Sequence, residues 1–205
     1  SQRCVKRMTI ILGLTGSIGM GKSTTSGFFR EAGVPVWDAD AAVHAMYGEN
    51  GAAVEPLRAL RPEAIQEGSV NRAALRDWIA QDSAALKQIE TIVHPLVAQD
   101  RDNFIAQHQG ASLIVLDIPL LFEGGGEKAF DATLVVSAPA DIQRQRVLAR
   151  PGMTEAHLQT ILAKQTPDAE KRARADYVIE TTTLDQTRRD VFDLVAKLTE
   201  GQDHA

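Results

Sequence analysis

The chain has 205 residues, a length that fits one large domain or a core that carries a smaller insertion. Hydrophobic residues make up 44% and charged residues 24%, which is ordinary globular usage and excludes an intrinsically disordered chain. The net charge of −5 and the 5% aromatic content argue against a general nucleic-acid binder, which needs clustered Lys and Arg and stacking rings. A phosphate ligand would therefore have to be bound at one concentrated site.

The single cysteine, Cys4, excludes an internal disulfide framework and favours a reducing, cytoplasmic location. No apolar run reaches the ~20 residues that span a bilayer, so we expect no membrane partner. Met8 directly precedes the first strand-like segment. Residues 1–7 are therefore interpreted as a leader or an added segment that is not part of the fold.

Short apolar runs alternate with helical patterns along most of the chain, which predicts an α/β fold with a parallel sheet covered by helices. A first helix is predicted over about residues 22–30, with Gly33 as its end signal. A last helix is predicted over about residues 184–198, with an apolar stripe that starts at Leu184. The five predicted strands comprise residues 9–14, 34–37, 113–116, 133–136 and 177–179.

Residues 41–110 interrupt this alternation and predict a helical insertion, which is too long to be an ordinary connection. One helix is predicted to begin after Asn71 as N-cap, with Leu75 and Trp78 on its buried face. The next helix contains Pro95, which predicts a bend or a break. Long insertions at strand ends tend to carry substrate recognition.

Residues 16–23 fit the phosphate-binding pattern G-x-x-x-x-G-K-[ST] without a mismatch. Glycines allow backbone N–H groups to turn around phosphate oxygens, and the following helix directs its positive dipole end at the same anion. Lys22 is expected to reach the β- and γ-phosphates, and Ser23 to offer its hydroxyl to Mg²⁺. The pattern occurs by chance in roughly one chain of this length in a hundred, and the strand before it and the helix after it make chance less frequent still.

Acidic residues follow two of the predicted strands. Asp38 and Asp40 come directly after the second strand, and in an extended chain they would point in opposite directions and have different roles. One of them could accept the proton of an acceptor hydroxyl, or both could lie in a solvated loop or cap a helix over residues 41–47. Asp117 ends another strand and could hold Mg²⁺, or it could be a buried turn residue.

Arg146 and Arg150 are four residues apart, which predicts that they share one face of a helix. Such a pair can stabilise a phosphoryl group during transfer, or it can simply be solvated. His94 precedes Pro95 in the insertion and could be either a hydrogen-bonded residue at a helix end or a substrate contact.

Taken together, these motifs resemble those of the dephospho-CoA kinase family, P-loop kinases of the nucleoside-monophosphate-kinase-like group. The matching segments occur in family order through nearly the whole chain. They comprise residues 14–24, 38–40, 68–72 with Leu75, 94–95, 117–123, 130–131, Gln143 with Arg146 and Arg150, Gln165, and 175–179. Two departures are visible: Ser17 stands where glycine is frequent in the family, and Glu180 stands where asparagine is common.

The resemblance implies transfer of the γ-phosphate of ATP to the ribose 3′-hydroxyl of dephospho-CoA, the final step of coenzyme A biosynthesis. It implies a P-loop core (9–40, 111–139 and 175–205), a helical CoA-side domain (41–110) and a lid (140–170). Asp40 is implied as the catalytic base, with Lys22 and Arg146 as further catalytic residues.

The expected partners are ATP and dephospho-CoA, with Mg²⁺ as cofactor, no nucleic acid, and a monomeric or weakly homo-oligomeric state. Substrate contacts are expected at Asp38, Asp40, His94 and Leu120, and Mg²⁺ contacts at Ser23 and Asp117. The expected ATP contacts are Gly16, Ser17, Ile18, Gly19, Met20, Gly21, Lys22, Ser23, Thr24, Arg146 and Arg150.

Other classes fit part of the pattern. The residues alone would also fit a P-loop kinase for nucleosides, nucleotides or shikimate. A regulatory GTPase would normally carry N-K-x-D and D-x-x-G motifs, and the sequence has neither. A non-catalytic ATP sensor would not need a proton acceptor such as Asp40 after the second strand.

Overall fold

The structure is a computed structural model, and it describes residues 8–200. The expectations for Cys4 and for residues 1–7 lie outside the described residues. The chain divides into two compact units. Within the described residues, one unit comprises residues 8–37 and 108–200, and the other comprises Asp38–Gln107.

The strands follow the predicted order. They are β1 (Ile10–Thr15), β2 (Val36–Asp38), β3 (Ile65–Gln66), β4 (Ser69–Val70), β5 (Leu113–Asp117), β6 (Ala132–Ser137) and β7 (Tyr177–Glu180). Five of them form one parallel sheet in the order β2-β5-β1-β6-β7, which confirms the predicted α/β class. The second strand begins later than predicted, at Val36, although the carbonyl of Pro35 still accepts a hydrogen bond from Val115 at 2.9 Å.

The helices are α1 (Lys22–Glu31), α2 (Ala39–Tyr47), α3 (Val54–Leu60), α4 (Arg72–Gln81), α5 (Ala85–Gln107), α6 (Ala140–Leu148), α7 (Glu155–Lys164), α8 (Asp168–Arg174) and α9 (Leu184–Thr199). No helix in this described part of the chain is both long and apolar enough to cross a membrane.

The first unit has its hydrophobic core on the sheet. Strands β1, β5 and β6 are buried along most of their length, as expected for apolar strands with both faces covered. Helices α1 and α9 contact each other, and Phe29, Val191 and Leu194 complete this core. Leu184 is 67% exposed, so the prediction that the buried stripe of α9 starts there is wrong. Its neighbour Thr183 caps the helix, which places Leu184 in the solvent-facing first turn.

The second unit is built from α2 to α5 and a small hairpin. Asn71 caps α4 as predicted, and Leu75 and Trp78 are buried. A bend or a break was predicted at Pro95; helix α5 continues through this residue, so the break is wrong and the bend stays a prediction. The hairpin β3–β4 was not predicted, and its two-residue turn has positive φ at Glu67 (51°) and Gly68 (77°), as in type I′ turns.

Candidate active site

The glycine-rich loop between β1 and α1 has the geometry of a phosphate cradle. Gly19 and Gly21 have positive φ (73° and 85°), a conformation that glycine adopts without steric cost. Gly21 is the N-cap of α1 and has no side chain that could satisfy the first N–H groups of the helix. Lys22 and Ser23 form the first turn, so free N–H groups and the positive helix end are left for an anion.

Close packing also explains why Gly16 and Gly19 have no side chain. A Cβ atom at Gly19 would lie 2.6 Å from Val147 Cγ2, and one at Gly16 would lie 2.5 Å from Val136 Cγ2. Ser17, where the family often has glycine, is buried, and its Oγ accepts a hydrogen bond from Lys171 Nζ at 3.2 Å. The loop therefore packs directly on β6 and α6 and tolerates a side chain at Ser17.

Lys22 and Asp117 form an ion pair. Asp117 is the last residue of β5, the neighbour of β1 in the sheet, and it is 1% exposed. Its Oδ1 accepts a short hydrogen bond from Lys22 Nζ, and its Oδ2 accepts one from Ser26 Oγ at 2.8 Å. The expected position of Asp117 beside the P-loop is therefore observed, and its partners include Lys22 and Ser26 of α1.

Arg146 reaches the P-loop from α6. Its Nη1 donates to the carbonyl of Gly19 at 3.3 Å and to Thr181 Oγ1 at 3.2 Å, and its Nη2 donates to the carbonyl of Thr181. Arg150 does not share this face, because α6 ends at Leu148 and Arg150 lies exposed in the turn beyond it. The predicted helical pairing of the two arginines is therefore wrong.

Polar side chains between residues 143 and 181 hold the rest of the loop. Ile18 accepts from Gln143 Nε2 at 2.8 Å through its carbonyl, and its N–H donates to Gln165 Oε1 at 3.3 Å. Thr181 Oγ1 donates to the carbonyl of Met20 at 2.6 Å. The sequence motifs included Gln143 and Gln165 without a role, and nothing in the sequence distinguished Thr181.

The acidic pair after β2 belongs to the second unit, and its geometry differs from the prediction. Helix α2 begins at Ala39, so Asp38 is extended but Asp40 is helical. Asp38 is the N-cap and accepts a hydrogen bond from the Ala41 N–H at 3.0 Å. Asp40 lies exposed in the first helical turn, where a negative charge is favourable. The capping alternative is thus correct for Asp38, whereas Asp40 keeps an exposed carboxylate.

The remaining predicted site residues are solvent-facing. His94 lies exposed in the middle of α5, so it is not a residue at a helix end. Leu120, in the turn after β5, is 54% exposed. Ser23 and Thr24 are exposed on the first turn of α1. Among residues 8–200, no group of three or more His, Cys, Asp or Glu side chains could hold a metal ion by itself.

A parallel sheet with a glycine cradle after its central strand, and a lysine of the next helix paired with an acid from the adjacent strand, defines a P-loop kinase. Comparison with known families identifies the kind of kinase. The family model described as dephospho-CoA kinase matches residues 10–186, so the chain belongs to the dephospho-CoA kinase family. Members of this family transfer phosphate to an alcohol group, and the resemblance inferred from the motifs is confirmed.

Individual relatives agree. A dephospho-CoA kinase of Jannaschia sp. is 62% identical over 194 residues, which cover 95% of this chain and 100% of the relative. One of Cereibacter sphaeroides is 56% identical over 192 residues, or 94% of this chain and 97% of the relative. A crystal structure of a Thermus thermophilus protein superposes with a TM-score of 0.80 at 38% identity, covering 94% of this chain and 99% of that one.

Proposed function

We propose that this chain transfers the γ-phosphoryl group of ATP to the ribose 3′-hydroxyl of dephospho-CoA and so forms coenzyme A and ADP. Family membership supports the acceptor, and the observation that supports the chemistry is the pair of Lys22 and Asp117 at the head of α1. In the reaction, the 3′-oxygen bonds to the γ-phosphorus while the bond from that phosphorus to the β,γ-bridging oxygen breaks. The hydroxyl proton goes to a carboxylate, and ADP is the leaving group.

On the ATP side, the proposed ligands are the N–H groups of the P-loop and of the first turn of α1, together with Lys22. Arg146 is proposed to stabilise the charge on the transferred group, since its guanidinium is already fixed beside the loop by Gly19 and Thr181. Arg150 lies exposed beyond the end of α6, so we assign it a phosphate contact on the family motif alone.

The chemistry of the donor set fits Mg²⁺. This ion prefers oxygen ligands and is commonly held by one or two protein groups plus phosphate oxygens, so a dedicated cluster of acids is not required. The Ser23 hydroxyl and the Asp117 carboxylate would hold it. When bound, Mg²⁺ neutralises charge on the β- and γ-phosphate oxygens.

On the acceptor side, Asp40 is the proposed base. Asp38 uses a carboxylate oxygen to cap α2, which is a structural role, whereas the exposed carboxylate of Asp40 is available to a substrate hydroxyl. We propose residues 41–110 as the CoA-side domain, with His94 as a contact there and Leu120 as a further one. Residues 140–170 are proposed as the lid. The substrates suggest a cytoplasmic enzyme, which we expect to be a monomer or a weak homo-oligomer.

The deciding experiment measures acceptor-dependent ADP release with dephospho-CoA, and with shikimate and nucleosides as alternative acceptors. Mass spectrometry of the product should show one added phosphate, removable by a 3′-nucleotidase. Turnover with an alternative acceptor and none with dephospho-CoA would refute the acceptor and leave the nucleotide site intact.

Two matched variants test the base. Asp40→Asn should lower kcat roughly 10²-fold, as loss of a general base does, with little change in the KM for ATP. Asp38→Asn keeps a capping oxygen and should leave kcat within about 3-fold of the wild-type value, because asparagine caps helices as well as aspartate does. Full activity of Asp40→Asn would transfer the role to Asp38 or Asp117.

A further inference from the structure

A fully buried lysine lies behind the P-loop and has no role in the reaction as proposed. Lys171, on α8, is 0% exposed. Its Nζ lies 3.1 Å from Glu123 Oε2 and donates to Ser17 Oγ at 3.2 Å. The three residues come from α8, from the segment after β5 and from the P-loop itself, and they form what we term the Lys171 cluster.

The cluster is costly to bury. A buried ammonium is tolerated only when it is paired and hydrogen-bonded, and an apolar side chain could fill the same volume at no electrostatic cost. Glu123 supplies the pairing charge, and its Oε2 also accepts from the Thr166 N–H at 3.1 Å. Its Oε1 is buried without a hydrogen-bond partner among the described residues. This cost indicates that the cluster does something that an apolar contact would not.

The role of the cluster follows from the P-loop residues to which this part of the chain is hydrogen-bonded. Ser17 immediately follows Gly16, the first glycine of the P-loop, and the next residue, Ile18, is held through its N–H by Gln165. Gln165 lies in the connection between α7 and α8, and Lys171 lies on α8. The same short stretch of chain therefore holds two consecutive P-loop residues, one through a side-chain hydroxyl and one through the backbone.

We propose that Lys171 is a positioning residue for ATP, and that it fixes the path of the P-loop through Ser17. Its charge is neutralised by Glu123, so its effect is geometric and not a direct attraction for phosphate. Phosphate binding requires several backbone N–H groups to point at one anion, and a loop that pivots at Ser17 loses that alignment. The inference rests on the proposed function only in taking ATP as the nucleotide.

The test is a double-mutant cycle in which ATP affinity is measured by calorimetry without an acceptor. One arm is Ser17→Ala, which removes the hydroxyl and keeps the ion pair. The other is the charge-neutral variant Lys171→Met/Glu123→Gln, which keeps side-chain size and an acceptor for the Thr166 N–H. The third variant combines both arms. Lys128→Met, at an exposed lysine in the connection between β5 and β6, is the matched control.

Each arm should raise the Kd for ATP about 5- to 10-fold, within the range expected for the net contribution of one ordinary hydrogen bond. The combined variant should be no weaker than either arm, because both remove the same contact. The KM for dephospho-CoA should not change, and Lys128→Met should match the wild type.

An unchanged Kd for ATP together with a lower Tm would make the cluster merely structural and overturn the inference, as would effects that multiply in the combined variant. If Lys171→Met/Glu123→Gln does not fold, Ser17→Ala decides alone, and an unchanged Kd again overturns it. A wild-type protein that binds ATP but does not phosphorylate dephospho-CoA would refute the proposed function instead, and the cycle would still be measurable.

Discussion

Substituting Lys22 should destabilise the protein as well as abolish activity. The P-loop lysine is usually considered only through its contact with phosphate, but here its ammonium also neutralises Asp117, whose side chain is 2% exposed. Lys22→Ala would leave that carboxylate buried without its counter-charge, although hydrogen bonds such as the one from Ser26 would remain. A buried charge that has lost its partner is one of the few causes of large destabilisation by a single substitution.

The size of the effect follows from burial. Removing one partner of a buried ion pair costs about 3–5 kcal/mol, and the side chain of Lys22 is 17% exposed, so water can partly solvate the carboxylate once the lysine is gone. We therefore expect a loss of about 2–3 kcal/mol in the free energy of unfolding. For a chain of this length that corresponds to a fall in Tm of roughly 4–12 °C.

The assay is urea unfolding at pH 7, followed by fluorescence and circular dichroism, with Lys164→Ala as an exposed control. The diagnostic variant is Lys22→Ala/Asp117→Asn. An asparagine oxygen can still accept from Ser26, and no charge is left buried, so we expect most of the lost stability to return. Its ability to turn over ATP should not return, because the phosphate ligand is still missing.

Two results would refute this reasoning. If Lys22→Ala unfolds at the wild-type urea concentration, the ion pair contributes nothing measurable to the fold. If the double variant is less stable than Lys22→Ala, the cost arises from lost packing of the lysine stem and not from an unpaired carboxylate.

Three further changes test other contacts of the first unit. Gly19→Ala combines a φ of 73° with a contact of 2.6 Å to Val147 Cγ2, so it should cost about 3 kcal/mol of stability in urea unfolding and weaken ATP binding; a wild-type midpoint would contradict this. Thr181→Val keeps the shape but removes the hydroxyl that donates to a P-loop carbonyl at 2.6 Å, and should cost about 1–2 kcal/mol by the same measurement. The hydrogen bond from Arg174 holds the pKa of Glu127 below its ordinary value of 4.5, so this carboxylate stabilises the fold above that value and the gain disappears as the pH falls through the lowered pKa. Glu127→Gln should therefore lower the urea midpoint at pH 7 and differ less from the wild type near pH 3; an equal difference at both pH values would exclude this linkage.

The parts of the fold that could be predicted are those encoded by local pattern. The P-loop is specified by a few residue types at fixed spacing, and Gly19 and Gly21 have the positive φ values that glycine allows. The sheet was predictable because strands covered on both faces are continuous apolar runs. The hairpin β3–β4 was missed because its strands are two residues each, too short for any periodicity. Its turn did carry a signal, since Gly68 is the second of two turn residues.

Other errors came from weighing a local rule against context that the sequence does not show. Pro95 removes one hydrogen bond from α5, but the apolar stripe continues past it, buried at Ile89 and Val93 and half-buried at Leu96 and Val97, and the helix persists. The D-A-D segment was interpreted as extended, yet the cap at Asp38 starts a helix one residue later. The spacing of four residues would place Arg146 and Arg150 on one helical face, but α6 ends at Leu148, before Arg150.

The burial of Lys171 is of a different kind and could not be predicted. The residues 171–174 contain three cations, and nothing local indicates which of them is buried. The partner that decides it, Ser17, is 154 positions away in the chain. A second partner, Glu123, is also distant in the sequence, at the end of the segment after β5.

The segment after β5 gives the acidic balance of the chain a specific meaning at this site. Asp117 pairs with Lys22 and Glu123 pairs with Lys171, so one stretch of seven residues supplies the counter-charges for both lysines that contact or belong to the P-loop. Because these pairs carry no net charge, the net positive potential at the site comes from the loop N–H groups, the end of α1 and Arg146, with Lys22 acting as a hydrogen-bond donor to phosphate and Mg²⁺ adding charge when bound. A site organised in this way recognises phosphate by the alignment of donors more than by net positive charge. This explains how a chain with a net charge of −5 can be built to bind ATP.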